Sequence, residues 1–193
     1  LAILPLAAVT GSPLLGQDAG RAPDRSAAVE PAAPVTVFAV RHAEKAKDDP
    51  RDPGLTEAGQ TRARDLARTL SAAGVTHLFS TNYRRTRATL APLAEATGLE
   101  VVLYDPRNPA RLMETLHALP PGSRAVVSGH SNTTPAVVRA LGGSLEGLVR
   151  AQGMELLAEH EYDRLFVVTL GDEERATSAV ELRYGAASVV LGE

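Results

Sequence analysis

Arg41-His42, Arg84 and His130 are the residues of this sequence whose types and positions could do chemistry. Arg41-His42 directly follows the apolar run VTVFAV, Arg84 lies in a turn after a second such run, and His130 follows a later one. Two guanidinium groups bind phosphate or carboxylate oxygens through their forked N–H donors. An imidazole among fixed positive charges has a lowered pKa, which leaves it neutral near pH 7 and available as a nucleophile. These residues therefore predict an oxyanion pocket that contains a histidine nucleophile.

The elements around these residues explain how they would meet. Apolar, β-branched runs predict strands at residues 35–40, 75–80, 101–104, 124–128, 165–170 and 179–184, the last two as an antiparallel hairpin. Helical spacing predicts helices from Thr56, as the cap, to residue 70, and at 84–97, 109–118 and 135–141, with a short helix within 145–158. This alternation predicts a three-layer α/β/α sandwich with a mostly parallel sheet. Ligands bind beyond the carboxyl ends of such strands, which is where the four side chains fall.

The first 34 residues differ in composition from the rest, so we assign the folded domain to residues 35–193. Residues 1–15 carry no charge and are interrupted by Pro5, Gly11 and Pro13. They are too short for a membrane span, which needs about 20 apolar residues, but fit the apolar region of a secretory signal. The segment predicts export to the periplasm or the cell exterior, with no stable membrane insertion after processing. The alternative is a disordered extension of a cytoplasmic protein.

Composition excludes several classes of function. The chain has 20 Lys and Arg against 23 Asp and Glu, a formal net charge of −3, and no basic run, so a nucleic-acid partner is not expected. Cysteine is absent, which excludes disulfides, thiolate metal sites and a cysteine nucleophile. The five histidines contain no metal-binding pair such as H-E-x-x-H, which argues against a zinc hydrolase.

Five blocks of the sequence resemble, in order, the motifs of the histidine phosphatase superfamily, which includes the phosphoglycerate mutases and acid phosphatases. They are VRHAEK at 40–45, LTEAG at 55–59, STNYRRTRAT at 80–89, VVSGHSNTTP at 126–135 and YDRLFVV at 162–168. The last block is similar to a strand of the small bacterial members, the phosphohistidine-phosphatase-like branch. The resemblance extends over residues 35–184 and implies a phosphoglycerate mutase-like fold.

The resemblance also implies an activity and assigns residues to it. It implies a metal-independent histidine phosphatase, without a cofactor, that hydrolyses a phosphorylated small molecule or a phosphoprotein through a phosphohistidine intermediate on His42. Arg41, Arg84 and His130 would bind the phosphoryl oxygens and stabilise the in-line transition state. Arg84 has the usual offset of four residues from the serine of its block, and Arg87 is the alternative.

The remaining site residues are less closely specified. The family commonly supplies a carboxyl proton donor between the second arginine and the second histidine, and Asp105 and Glu114 are the candidates. Asp105 is preferred, because a turn directly after a strand faces the crevice. Ser131 and Asn132 would hydrogen-bond the phosphate or cap the following helix.

Two alternatives of other classes stay open. The sequence GHSNT at 129–133 is similar to the nucleophile elbow G-x-S-x-G of serine hydrolases, with Ser131 as nucleophile, although Thr133 stands where a glycine is needed. A module that binds a phosphorylated anion without catalysis is the other, since Ala43 replaces the usual glycine of the first block. Hydrolysis is favoured over phosphoryl transfer between substrates, because residues 35–193 leave little space for the crevice segments that mutases carry.

Overall fold

Strands and helices alternate along most of the chain in the computed structural model, which describes residues 32–151, 153–172 and 175–188. These residues form eight strands: β1 Thr36–Arg41, β2 His77–Thr81, β3 Val101–Tyr104, β4 Arg124–Gly129, β5 Val149–Ala151, β6 Met154–Leu156, β7 Arg164–Thr169 and β8 Ser178–Arg183. They also form four helices: α1 Glu57–Leu70, α2 Arg84–Thr97, α3 Pro109–His117 and α4 Thr133–Ala140. The apolar segment that predicts a signal, residues 1–15, lies outside the described residues. The predicted start of the folded domain at residue 35 stays a prediction.

Six of the strands form one sheet in the order β3-β2-β4-β1-β7-β8. β3, β2, β4 and β1 pair in parallel, whereas β7 pairs antiparallel with β1 and β8 antiparallel with β7. The predicted mostly parallel sheet and the late antiparallel hairpin are therefore confirmed. Parallel neighbours need crossover connections, and α1, α2 and α3 lie in those connections.

Helices cover both faces of the sheet, as the alternation of buried residues along β1 shows. Val37 and Ala39 belong to one apolar cluster, which includes residues of α3 and α4. Phe38 and Val40 belong to a second cluster, which includes residues of α1 and α2. Because successive strand residues point to opposite faces, the two clusters are the two cores of a three-layer sandwich. None of the described helices is both long and apolar enough to cross a membrane.

The short helix predicted within residues 145–158 is wrong. This segment contains β5 and β6, which form a separate two-stranded antiparallel sheet. Gly147 and Gly153 have φ values of 66° and 75°, in the left-handed region. Glycine adopts this conformation without steric cost, but a right-handed helix cannot continue through it. Leu145 and Leu148 pack against the core from the loop before β5.

The segment that follows β1 is fixed by the start of α1. Thr56, the predicted cap, donates its backbone N–H to the carbonyl of Glu44 at 2.9 Å, and its side chain accepts the N–H of Gly59. A side chain at position 59 would collide with the same Glu44 carbonyl oxygen, so the contact requires glycine. Glu44 in turn binds the buried Arg62 at 2.7 Å. The loop after β1 is thereby held against α1.

Candidate active site

Two histidines lie side by side because β1 and β4 are parallel neighbours. Arg41 is the register partner of Gly129, so each histidine is the first residue after its strand. The backbone N–H of His42 donates to the Gly129 carbonyl at 2.9 Å and continues the ladder by one residue. The ring centroids of His42 and His130 are 5.4 Å apart in an edge-to-face arrangement. The structure therefore brings the two predicted histidines together at the carboxyl edge of the sheet.

His42 is buried and presents a free ring nitrogen. Its Nδ1 lies 2.8 Å from the carbonyl oxygen of Ala43, and because a carbonyl only accepts, Nδ1 carries the proton. Burial is the main cause that lowers the pKa of His42, to about 3; the hydrogen bond to Ala43 opposes the shift, and the charges of Arg41, His130 and Arg85 add to it. The imidazole is neutral at pH 7, with the Nε2 lone pair available for attack.

His130 is fixed by contacts on both ring nitrogens. Its Nδ1 lies 3.4 Å from Nη2 of Arg85, and a guanidinium can only donate, so Nδ1 is the acceptor. Nε2–H then donates to the hydroxyl of Thr81 at 3.0 Å. Burial, followed by the charges of Arg85 and Arg41, lowers the pKa of His130 to about 4. The backbone N–H of His130 donates to Thr133 Oγ1 at 2.8 Å.

Arg85 is the arginine beside the histidines, which corrects the prediction of Arg84. The Arg85 side chain is only 15% exposed and lies over the ring of Tyr83 at 4.6 Å. Its Nε and Nη1 are buried and have no hydrogen-bond partner among the described residues. Arg84 is 49% exposed and forms an ion pair with Asp48 at 3.1 Å, while the alternative Arg87 is exposed on the same helix. Neighbouring helical residues point about 100° apart, so only one of the two arginines can face His130.

The spacing of the buried residues along α2 is the signal that could have identified Arg85. The buried face of α2 includes Thr86, Thr89, Leu90 and Leu93. Position 85 lies one turn before Thr89 on that face, and the Thr89 hydroxyl donates to the Arg85 carbonyl at 2.8 Å. Thr89 also accepts the backbone N–H of Ala43 at 2.9 Å, which positions the residue after His42.

Arg41 is buried and anchors the segment that precedes β7. Its Nη1 donates to the carbonyls of Ala158, Glu159 and Glu161 at 2.8, 3.0 and 3.1 Å, and its Nη2 donates to the Glu159 carboxylate at 3.1 Å. The guanidinium lies 4.2 Å from the ring centroid of Tyr162, a residue that also borders His42 at 6.1 Å. Nε of Arg41 is buried without a partner in the described part of the chain. Arg41 thus holds residues 158–162 beside His42 and keeps one donor unpaired.

The structure argues against Asp105 as the proton donor. Its carboxylate accepts the backbone N–H of Arg107 at 2.9 Å and the Nε–H of the same residue at 3.1 Å. The backbone hydrogen bond, followed by that of the Arg107 side chain, lowers the pKa of Asp105. A proton donor at neutral pH needs a raised pKa instead. Glu114, the other candidate, is exposed and pairs with Arg111 at 3.3 Å.

Ser131 and Asn132 lie next to His130 at the start of α4. The backbone carbonyl of Ser131 accepts from the N–H of Leu157 at 2.9 Å, and its side chain is partly exposed. Asn132 is exposed and precedes α4 without a side-chain capping bond. Both residues are therefore close in sequence to the site, and the predicted capping by Asn132 is not observed.

Taken together, the arrangement suits a tetrahedral oxyanion. It combines a neutral histidine with a free nitrogen, a second histidine and two guanidinium groups with buried, unpaired donors. Within the described ranges, no group of three or more His, Asp or Glu side chains could hold a metal ion. Thr81, Tyr83, Arg85 and Tyr162 contribute to the site beyond the residues that were predicted.

Part of the sequence is similar to histidine phosphatases and to phosphoglycerate mutases. Residues 37–107 match the model of the histidine phosphatase superfamily, branch 1. Two curated relatives, both described as probable phosphoglycerate mutase GpmB, are 39% identical (Serratia proteamaculans) and 35% identical (Cronobacter sakazakii) over 77 residues. The matched stretch is 37% of this chain, and the chain spans 35% of the length of each of these relatives.

Solved structures resemble this protein over most of its length. A SixA protein from Agrobacterium tumefaciens, described as a phosphohistidine phosphatase, is 21% identical with a TM-score of 0.54 and matches 80% of this chain and 99% of its own. A mycobacterial glucosyl-3-phosphoglycerate phosphatase in complex with VO3 is 15% identical with a TM-score of 0.57 and matches 79% and 99%. At these identities the likeness is one of fold, and it confirms the mixed α/β architecture with a mostly parallel sheet.

Proposed function

We propose that this chain belongs to the histidine phosphatase superfamily and is a phosphatase that acts through a phosphohistidine intermediate on His42. The observation that carries the proposal is the set of unpaired donors beside the histidine pair: Nε of Arg41 and Nε and Nη1 of Arg85. Buried polar groups are hydrogen-bonded in the great majority of cases, and each unpaired donor costs about 1–3 kcal/mol. A cluster of unpaired cationic donors supports binding of an anion with several oxygens, such as a phosphoryl group.

In the first step, Nε2 of His42 attacks the phosphorus in line with the ester oxygen. The N–P bond forms, the P–O bond to the leaving group breaks, and the leaving oxygen takes a proton from solvent when its basicity requires one. The spare donors of Arg41 and Arg85 neutralise the charge on the equatorial oxygens. Because His42 is already neutral and its Nδ1–H is held by Ala43, it needs no base to activate it.

In the second step, water attacks the phosphohistidine, the P–N bond breaks, and His42 recovers its lone pair. The water oxygen becomes the fourth oxygen of inorganic phosphate, and its proton passes to a phosphate oxygen or to solvent. His130 faces the same group, and a dianionic phosphoryl group would raise its pKa from about 4 and favour its cationic form. In that form Nδ1 carries a proton, so it exchanges its 3.4 Å contact with Nη2 of Arg85 for a hydrogen bond donated to the transferred group.

None of the described carboxyl groups with a resolved pKa shift is suited to protonate a leaving group at pH 7, which favours substrates with good leaving groups. In the described part of the chain, each carboxyl group with a resolved shift has a lowered pKa: Asp48, Asp49, Asp105, Glu159 and Asp163. Such groups are poor proton donors at pH 7. A phenolate leaves without protonation, which makes an aryl phosphate the appropriate first substrate.

The serine hydrolase alternative is not supported by the contacts of His130. A nucleophilic Ser131 would need a histidine as general base. His130 is the neighbouring histidine, but its Nδ1 accepts from Arg85 and its Nε2–H donates to Thr81. This alternative would also leave the unpaired donors of Arg41 and Arg85 without a role.

The test is to trap the intermediate. The protein is mixed with a reactive aryl phosphate, quenched at alkaline pH and analysed by mass spectrometry, with His42→Ala and, as control, the exposed His117→Ala. We expect a phosphoryl adduct on His42 in the wild type and in His117→Ala, and none in His42→Ala. Undiminished turnover in His42→Ala would overturn the assignment of the nucleophile and favour Ser131. Neither turnover nor adduct in the wild type would favour a module that only binds the anion.

A further inference from the structure

A cavity of about 480 Å³ lies at the carboxyl edge of the sheet, next to the start of α4. We call it the side cavity. Its wall is mainly apolar, with side chains from the end of β3, the loop after it, α3, α4 and β6: Tyr104, Pro106, Pro109, Leu112, Ala136 and Met154. Its volume lies within the range of about 300–1,000 Å³ that is common for small-molecule sites.

Two residues at the start of α4 and one at the end of β3 place the wall of the side cavity next to His130. Asn132 and Thr133 line the cavity, and Thr133 Oγ1 accepts the backbone N–H of His130 at 2.8 Å. Tyr104, on the opposite wall, donates its hydroxyl to the carbonyl of Ser128, two residues before His130, at 3.3 Å. The wall of the side cavity therefore includes residues that contact the backbone at Ser128 and at His130.

The charges on the wall of the side cavity favour an uncharged occupant. The charged side chains that line it are Arg139 and Glu155, which pair with each other at 2.7 Å. A paired guanidinium has lost most of its attraction for a further anion, and the paired carboxylate repels one. The rest of the wall offers carbon atoms, so the gain on binding comes from burying apolar surface.

We propose that the side cavity binds the leaving group of the substrate, and that this group is uncharged and largely apolar, an aryl or a medium-length alkyl alcohol. The proposal rests on the proposed function, because the leaving group reaches the cavity only when its phosphoryl end is bound between His42 and Arg85. It narrows the substrate class to phosphomonoesters without a second phosphate or a carboxylate near the ester bond.

The test measures binding without catalysis. Dissociation constants of methylphosphonate and hexylphosphonate, which have no ester bond to hydrolyse, are compared by calorimetry on the full chain. Each buried methylene is worth roughly a three- to fourfold gain in affinity, so we expect hexylphosphonate to bind at least about tenfold more tightly. Equal affinities for the two probes in the wild type would overturn the proposal.

A matched pair of variants tests whether the side cavity is the cause. Ala136 is exposed on α4 and lines the cavity, so Ala136→Phe fills it without disturbing the core. Ala96 is exposed on α2, and Ala96→Phe makes the same change there as a control. We expect Ala136→Phe to weaken hexylphosphonate about tenfold and leave methylphosphonate unchanged, with no effect of Ala96→Phe. A similar loss in both variants, or in neither, would contradict the assignment.

The two proposals fail in different ways. If methylphosphonate binds and an aryl phosphate is hydrolysed, but chain length has no effect, then only the side-cavity proposal is wrong. If neither phosphonate binds to the wild type, the anion site itself is wrong, and the proposed function falls with it.

Discussion

Two of the regions that hold buried or largely buried arginines differ in how the guanidinium donors are paired. At the start of β7, Arg164 donates Nε and Nη2 to the Glu181 carboxylate at 2.9 and 2.6 Å, and Nη1 to Glu161 at 3.3 Å. At the carboxyl edge of the sheet, Nε of Arg41 and Nε and Nη1 of Arg85 form no hydrogen bond within the described part of the chain, although Nη1 of Arg85 lies 3.7 Å from the Asp52 carboxylate. Both regions hold positive charge away from water, but only the region at the carboxyl edge of the sheet has guanidinium donors without a hydrogen bond among the described residues.

The difference separates what stabilises the fold from what binds a ligand. The ion pairs of Arg164 hold β7, β8 and the loop before β5 together, since its Nη2 also reaches the carbonyl of Glu146 at 2.6 Å. Arg85 makes a weaker set of contacts, a 3.7 Å approach to Asp52 and a 3.4 Å one to His130. Burial and charge are common to both regions, so the unpaired donors are the property that marks the site. Mutations of the two regions should therefore separate activity from stability.

Arg85→Gln should give the largest effect on activity. Loss of donors aimed at the charge of a transition state typically costs about 10²–10³-fold in rate, so we expect kcat/KM for an aryl phosphate to fall by that factor. The melting temperature should stay nearly constant, because few folded-state hydrogen bonds are lost. Arg84→Gln, one residue away and half-exposed, is the control and should change kcat/KM less than about threefold. Equal losses in the two variants would contradict the assignment of Arg85.

Arg164→Met should give the converse result. It leaves the carboxylates of Glu161 and Glu181 without their buried partner, which we expect to lower the free energy of unfolding by about 3 kcal/mol. The variant molecules that remain folded should retain wild-type kcat. Urea denaturation measures the first quantity, and turnover under strongly native conditions measures the second. Arg111→Met, which removes an exposed pair with Glu114, should lower stability by less than about 1 kcal/mol. A tenfold loss of kcat in Arg164→Met would contradict the conclusion that this region stabilises the fold without contributing to activity.

The histidine pair makes the free energy of unfolding depend on pH. The pKa values of His42 and His130 are lowered from 6.5 to about 3 and about 4, so the unfolded chain binds protons at these positions at a higher pH than the folded protein does. Stability is then fully present above about pH 6.5 and is lost as the pH falls toward about 4. Each histidine contributes a slope of up to roughly 1.4 kcal/mol per pH unit in this window.

Denaturation curves of the wild type and His42→Asn between pH 7 and pH 4 measure this slope. The variant should show a shallower loss of stability with acid, whatever its stability at neutral pH. His117→Asn, which changes an exposed histidine, serves as the control and should follow the wild-type curve. Identical slopes in the wild type and His42→Asn would show that folding does not lower the pKa of His42, which would contradict the buried environment assigned to the proposed nucleophile.

Sequence patterns predicted the sheet better than they predicted the side chains of the site. The six strands of the main sheet lie within two residues of their predicted bounds, because buried β-branched runs between glycines and prolines leave few alternatives. Those strand ends brought His42 and His130 together correctly. The helix predicted within 145–158 is wrong because Gly147 and Gly153 have left-handed backbone conformations, through which a right-handed helix cannot continue.

The errors in the site have a different cause. The offset of four residues from Ser80 favoured Arg84. The buried face of α2 instead favours Arg85, because position 85 lies one turn before the buried Thr89. Asp105 was preferred for its place after a strand, but the nearby Arg107 lowers its pKa and holds it ionised. The contacts of Arg41 with residues 158–162 join positions more than 110 residues apart, and no local pattern reports such a contact.

Glu159→Gln should give the smallest effect, and it tests the boundary between the two regions. Glu159 is the carboxylate that pairs with the site arginine Arg41, at 3.1 Å, and with Lys45, at 2.9 Å. It is 70% exposed, so the pairs are screened by solvent and contribute less than about 1 kcal/mol to stability. Removing this charge frees a donor of Arg41, and KM for an aryl phosphate should fall by about two- to threefold, with kcat unchanged. The gain should shrink at high salt, because exposed charges are screened. A rise in KM would instead mean that Glu159 positions Arg41 for the substrate. The ion pair of Arg41 would then serve substrate binding as well as the stability of the fold.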